Sequence, residues 1–149
     1  MKKFLLLAVF TALLASCGSL DTKSQVGLKG NWTITSVTYP GSDYIKVTTF
    51  DIADSQCFVG SSWSFISNNN KGSMSLAKAG CPSFSSPIVW TVTKEGAFTL
   101  KITEGEKGKN VTDGYYLQMR NQTENSFQLI DNVSVGGKNV EVVYNFQKV

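Results

Sequence analysis

The sequence predicts an all-β chain, eight or nine short strands in succession that build a sandwich or an up-and-down barrel. Three observations predict it. After Cys17 no segment sustains a 3.6-residue apolar period. Short runs of two-residue period take its place, broken by Gly, Asn and Pro. Two pairs of these runs, joined through glycine-bearing turns, put their apolar side chains on one face with a single exception.

The first 16 residues stand apart. Lys2 and Lys3 are followed by an unbroken, mostly apolar run from Phe4 to Leu14. As a helix that run would reach roughly 17 Å, well short of a bilayer core of about 30 Å, and it has no polar face to set against a protein surface. It has the make-up of an export signal. Leu14-Ala15-Ser16-Cys17 resembles the lipobox of bacterial lipoproteins. The resemblance implies a diacylglycerol on the Cys17 thiol and cleavage before Cys17, with the new amine open to acylation. Gly18 stands where, by the same resemblance, an Asp would signal retention in the inner membrane. The implied location is the outer membrane, facing the periplasm. The expected organisation is a signal over 1–16, a lipidated Cys17 with a polar tether over 17–27, and one β domain over 28–149.

Candidate strands lie near 31–39, 44–52, 57–66, 72–78, 86–93, 97–103, 114–121, 126–133 and 138–148. The loop Lys94-Glu95-Gly96 sets Val92 opposite Phe98, Trp90 opposite Leu100 and Ile88 opposite Ile102. The turn Gly136-Gly137 sets Val133 opposite Val140, Asp131 opposite Val142, Leu129 opposite Tyr144 and Phe127 opposite Phe146. Asp131 is the exception to that apolar face. Pairing Met119 with Phe127 across Asn121–Asn125 places Tyr115 opposite Asp131. Around Asn68-Asn69-Asn70 a symmetric turn would set Cys57 opposite Cys81 but split the apolar faces. Slipping by one sets Phe65 against Met74 and Trp63 against Leu76, with a bulge or loop near a cysteine absorbing the difference.

Cys57 and Cys81 are the cysteines left beside Cys17. Export to an oxidising compartment makes a disulfide between them the expectation, contributing about 3 kcal/mol. A redox-active pair would call for a C-x-x-C spacing that is absent.

Without the first 16 of its 149 residues the chain keeps 12 of 14 basic residues against 11 acidic ones, a net charge of +1. Nucleic acid is therefore not an expected partner. There is no histidine, which excludes the usual Ser-His-Asp and Cys-His sites and the commonest zinc ligand. No cofactor or metal is expected. The mixed-sign stretch Glu104–Lys109 has the composition of a solvated loop. The four N-x-S/T triplets at Asn31, Asn110, Asn121 and Asn132 carry no meaning behind a bacterial lipobox.

Gly30-Asn31-Trp32 opens the first strand and resembles the Gly-x-Trp opening of lipocalins. A later cysteine pair, a strand carrying Trp90 and the terminal VVYNFQKV strand resemble the lipocalin-like lipoproteins of bacteria. The resemblance implies a meandering antiparallel barrel of eight to nine strands, with Trp32 closing one end and an apolar cavity at the other. Its functional implication is a non-enzymatic, lipid-tethered domain that holds a small apolar or amphipathic ligand. The lining expected from the strand faces is Trp63, Trp90, Tyr115, Leu117, Asp131 and Tyr144, with Tyr115 partnering Asp131. The alternative for Trp63 and Trp90 is plain core packing, and for Asp131 a wet rim. A second function class is a structural or interaction lipoprotein of the envelope, which a filled barrel would favour. An enzyme is the third class, and no residues supply a base and a nucleophile together.

Overall fold

The computed structural model describes residues 20–105, 108, 111 and 113–149. The export signal and Cys17 lie outside them. Among the described residues the chain forms a short helix, α1 (Thr22–Gly27), and then ten strands: β1 (Gly30–Thr38), β2 (Thr48–Thr49), β3 (Ala53–Asp54), β4 (Ser62–Ile66), β5 (Lys71–Leu76), β6 (Phe84–Val92), β7 (Ala97–Ile102), β8 (Tyr115–Arg120), β9 (Ser126–Val135) and β10 (Lys138–Lys148). Eight of these form one closed antiparallel barrel in the order β1-β10-β9-β8-β7-β6-β5-β4, while β2 and β3 form a separate two-stranded hairpin. Because β1 pairs with both β10 and β4, no strand edge is left in the barrel. A bulge at Thr35, between Ile34↔Phe146 and Ser36↔Asn145, bends β1 so that it can serve both neighbours.

Both glycine-turn hairpins have the register that their apolar pattern predicts. Val92↔Phe98, Trp90↔Leu100 and Ile88↔Ile102 pair across Gly96, whose φ is +81°. Val133↔Val140, Asp131↔Val142, Leu129↔Tyr144 and Phe127↔Phe146 pair across Gly136 and Gly137, also at positive φ.

Two other registers differ from expectation by two residues, which preserves every face. Trp63 pairs with Met74, and Phe65 with Gly72. A Cβ on Gly72 would lie 2.0 Å from the Ser64 carbonyl oxygen, so the close approach of β4 to β5 fixes glycine at that place. No bulge is needed near the cysteines, because Cys57 lies in a 3-10 turn (Ser55–Phe58) and Cys81 in the β5–β6 loop, both off the ladder. Across β8–β9, Met119 pairs with Leu129 rather than Phe127. Thr123 bonds Ser126 in both directions there, moving the centre of the hairpin one residue along the chain.

Three further expectations are corrected. The expected strand 44–52 is mostly loop plus β2. The expected strand 57–66 begins only at Ser62, because Asp54 Oδ1 accepts the Gln56 N–H at 3.0 Å and starts the 3-10 turn. The expected tether loses residues 22–27 to α1. Gln25 is buried and ties that helix to the β4–β5 turn and to β6, its Oε1 accepting from Asn70 Nδ2 and from the Val92 N–H.

α1 and Trp32 close one end of the barrel, as expected of Trp32. The indole N–H donates to the Leu28 carbonyl at 2.8 Å, its ring meets Phe127 edge-on, and Lys148 Nζ lies over its face. Above it, Phe65, Trp90, Phe98, Phe127 and Phe146 fill the lower half of the barrel with rings in mutual contact.

Candidate functional site: the barrel mouth

At the opposite end the connection 39–61 crosses the mouth, and its anchorage is polar and covalent. The Cys57–Cys81 disulfide fastens it to the β5–β6 loop, and Lys78 Nζ donates to the Gln56 carbonyl at 3.0 Å beside it. Tyr39 Oη and the fully buried Ser55 Oγ are 2.5 Å apart, and Gln56 Nε2 donates to Tyr39 Oη and to the Val37 carbonyl. With its far side pinned in this way, the connection sends the β2–β3 hairpin down into the mouth.

The tip of that hairpin is Phe50-Asp51, at φ +52° and +55°, closed by the Ile52 N–H donating to the Thr49 carbonyl at 3.0 Å. Positive φ at both central residues is the pattern of a type I′ turn, which Asn-Gly adopts without steric cost and Phe-Asp does not. Burial of the Phe50 ring offsets that cost. The ring lies 4.9 Å from Tyr115, 5.6 Å from Phe58, 6.1 Å from Tyr144 and 6.5 Å from Trp63 between centroids. Beside it the buried Thr49 Oγ1 and Tyr144 Oη share a hydrogen bond of 2.7 Å.

A cleft of about 470 Å³ opens between this hairpin, the start of β6 and the β7–β8 loop. Its apolar walls are Phe50, Ile52, Phe84, Ile102 and Val111, and Asp51, Glu104 and Asp113 stand among them with Tyr115. The Tyr115 hydroxyl donates to Asp51 Oδ2 at 3.4 Å. Burial, and then the Asp51 carboxylate, push the Tyr115 hydroxyl above its ordinary pKa, with Asp113 and Glu104 adding to the effect. Among the described residues no cluster of carboxylates and cysteines has a metal-holding arrangement.

The six residues expected to line a pocket separate. Tyr115 lines the cleft. Tyr144 and Trp63 lie directly beneath it, 1% and 3% exposed, and burial holds the Tyr144 hydroxyl far above its usual range. Leu117 is buried in the wall. Trp90 is remote from the mouth, in the closed half against Phe65 and Phe98, with its N–H donated to the Lys71 carbonyl. It is core. Asp131 faces inward, half-buried, and burial raises its carboxyl above the ordinary value. Its expected partner is corrected: the β8–β9 register carries Tyr115 past it, and Asp51 takes the Tyr115 hydroxyl. Where the resemblance implies an apolar cavity, the Phe50 ring stands inside the mouth. Sequence reasoning missed Phe50, Asp51, Ile52 and Phe84. The hairpin tip carries no Gly or Asn, and Asp51, the one turn-forming residue in it, follows a Phe in a stretch that otherwise reads as strand.

A larger groove of about 630 Å³ lies on the outer wall, where Ser62, Ser75 and Ser85 align across β4, β5 and β6, with Ser64 and Ser73 in the next row. Pro87, Val149 and parts of Trp32, Trp63 and Met74 also line it, and no charged side chain stands among these residues. The mouth is the better candidate.

No family model and no curated protein matches the sequence. Three solved structures resemble the chain. A lipocalin-like protein from Bacteroides uniformis shares 12% identity over 83% of this chain and 99% of its own, with a TM-score of 0.49. An uncharacterized protein from Bacteroides eggerthii shares 13% over 82% and 99%, also at 0.49. An odorant-binding protein shares 12% over 84% of this chain and 73% of its own, at 0.45. By its own strand order the chain is an all-β, closed, eight-stranded antiparallel meander barrel, the lipocalin-like architecture that its Gly-x-Trp opening implies.

Proposed function

We propose that this chain is a membrane-tethered envelope lipoprotein whose barrel is non-enzymatic and binds a small amphipathic ligand at its mouth. The cleft carries the reading: apolar walls from three chain segments converge with a few polar groups, the usual make-up of a small-molecule site. The three carboxylates set a preference. A fatty-acid headgroup would meet like charge there, whereas a neutral or cationic polar end would not. The tether, through lipid on Cys17 in the outer membrane, rests on the lipobox and on Gly18.

The neutral fluorophore N-phenyl-1-naphthylamine, titrated into the purified protein, tests the cleft. Saturable one-to-one binding is expected, weakened about fivefold in Phe84→Ala, which removes wall contact. Absence of saturable binding, or an unchanged affinity in Phe84→Ala, would overturn it. A second reading, an interaction lipoprotein with a filled barrel, is favoured by the rings that run from Trp32 to Phe50 through the lumen. It would take over if the fluorophore fails to bind.

A further inference from the structure

The Phe50 side chain differs from the rings below it. Those belong to barrel strands, apart from Phe58 in the 3-10 turn, whereas Phe50 is on a hairpin that joins no barrel strand. Its turn holds two L-residues in the left-handed region, a conformation that persists only while the surroundings enforce it. Besides apolar packing, which includes Ala53 and Ile52 as well as the Phe50 ring, two side-chain hydrogen bonds among the described residues join the hairpin to the barrel: Thr49 to Tyr144 Oη, and Asp51 to Tyr115 Oη at the long distance of 3.4 Å. Beside the hairpin lies the open cleft, which leaves room next to the tip among the described residues.

We propose that Phe50 is a built-in occupant of a ligand seat between Tyr144, Phe58, Trp63 and Tyr115, and that a planar aromatic molecule bearing an N–H or O–H group takes the seat when the hairpin lifts. This rests on the mouth-binding reading and specifies its ligand. The chemistry follows from the adjacency of Thr49 and Phe50. When one leaves, so does the other, and the seat then lacks both a ring and the partner of a buried hydroxyl. An apolar ring alone would restore the packing and strand the Tyr144 hydroxyl, a costly omission in a buried site. A ring with a hydrogen-bonding edge restores both. Asp131 lies one inward row from Tyr144 on the neighbouring strand, opposite Val142, and supplies an acceptor for that edge.

The seat is closed most of the time, so its apparent affinity is reduced by the fraction open. Weakening the closed hairpin must therefore tighten binding. Indole and its N–H-free analogue benzothiophene are titrated calorimetrically into the parent, Thr49→Val and Phe50→Ala. Thr49→Val keeps the shape of the side chain and removes its hold on Tyr144. Indole binding should tighten on the order of tenfold, with all four walls of the seat intact. Phe50→Ala should tighten it at least as much and favour indole over benzothiophene about fivefold. That preference disappears when Tyr144→Phe is added. Indole bound no more tightly by Thr49→Val than by the parent, or no preference for indole in Phe50→Ala, would overturn the proposal. If N-phenyl-1-naphthylamine binds the parent while these variants leave indole unchanged, the seat falls and the cleft reading stands. If Thr49→Val tightens indole while the fluorophore fails to bind, the cleft reading falls and the seat stands.

Discussion

Replacing both cysteines, as Cys57→Ala with Cys81→Ala, should cost this barrel a large part of its stability. The bridge spans 24 residues. In the chain-entropy treatment a loop of that size restricts the unfolded ensemble by about 3.5 kcal/mol at 25 °C. Cys57 is buried and Cys81 partly so, and the small alanine leaves little room for compensation. For a domain of this length the loss corresponds to roughly 10 to 15 °C in Tm. Urea unfolding followed by tryptophan fluorescence provides a second signature. The uncrosslinked chain unfolds to a more expanded state, so the slope with denaturant should rise while the midpoint falls. A midpoint shift worth less than about 1 kcal/mol, or an unchanged slope, would refute the argument that the bridge acts on the unfolded chain.

Trp32→Phe should destabilise by about 2 to 3 kcal/mol in the same assay, since it strands the buried Leu28 carbonyl and trims the contact with Phe127; a loss under 0.5 kcal/mol would refute that role. Asp131 has a folded-state pKa above its unfolded one, so the protonated carboxyl favours folding. Its contribution is present below the ordinary carboxylate range and is lost as pH rises through the raised value. Asp131→Asn should therefore gain on the parent in Tm at pH 7 and lose that advantage toward pH 3, and a difference independent of pH would count against it. Cys17→Ser should abolish labelling by a radioactive fatty acid, and equal labelling of variant and parent would overturn the lipobox assignment.

The hairpins with glycine turns were legible to the residue because two signals agreed there. The pattern fixed the face, and Gly96 or Gly136-Gly137 fixed the turn. Where the turn lacked glycine, face and register came apart. Both β4–β5 and β8–β9 differ by two residues, the smallest shift that a two-residue period leaves invisible. The information that decides them is not periodic: the backbone approach at Gly72 and the Thr123–Ser126 hydrogen bonds. The mouth was harder still. Tyr115, Tyr144 and Trp63 could be placed near it because they lie on strands. Phe50 and Asp51 could not, because their turn is held by tertiary burial against local preference. That conflict between sequence and conformation is what singles the hairpin out once the structure is known.

With the proposed lipid on Cys17, the point where the chain joins the barrel would set an orientation. Leu20 bridges to Thr93 and the Asp21 N–H donates to the Val92 carbonyl, both at the closed end beneath Trp90. Cys17 stands three residues earlier in the sequence, a length of chain that spans at most about 11 Å. A lipid there would seat the barrel on the bilayer base-down, with the Phe50 hairpin at its far pole. Solutes would then reach the mouth from the aqueous compartment and not by lateral diffusion out of the leaflet. Molecules that partition almost wholly into lipid would rarely meet it, which fits a compact ring with a polar edge better than a long-chain amphiphile.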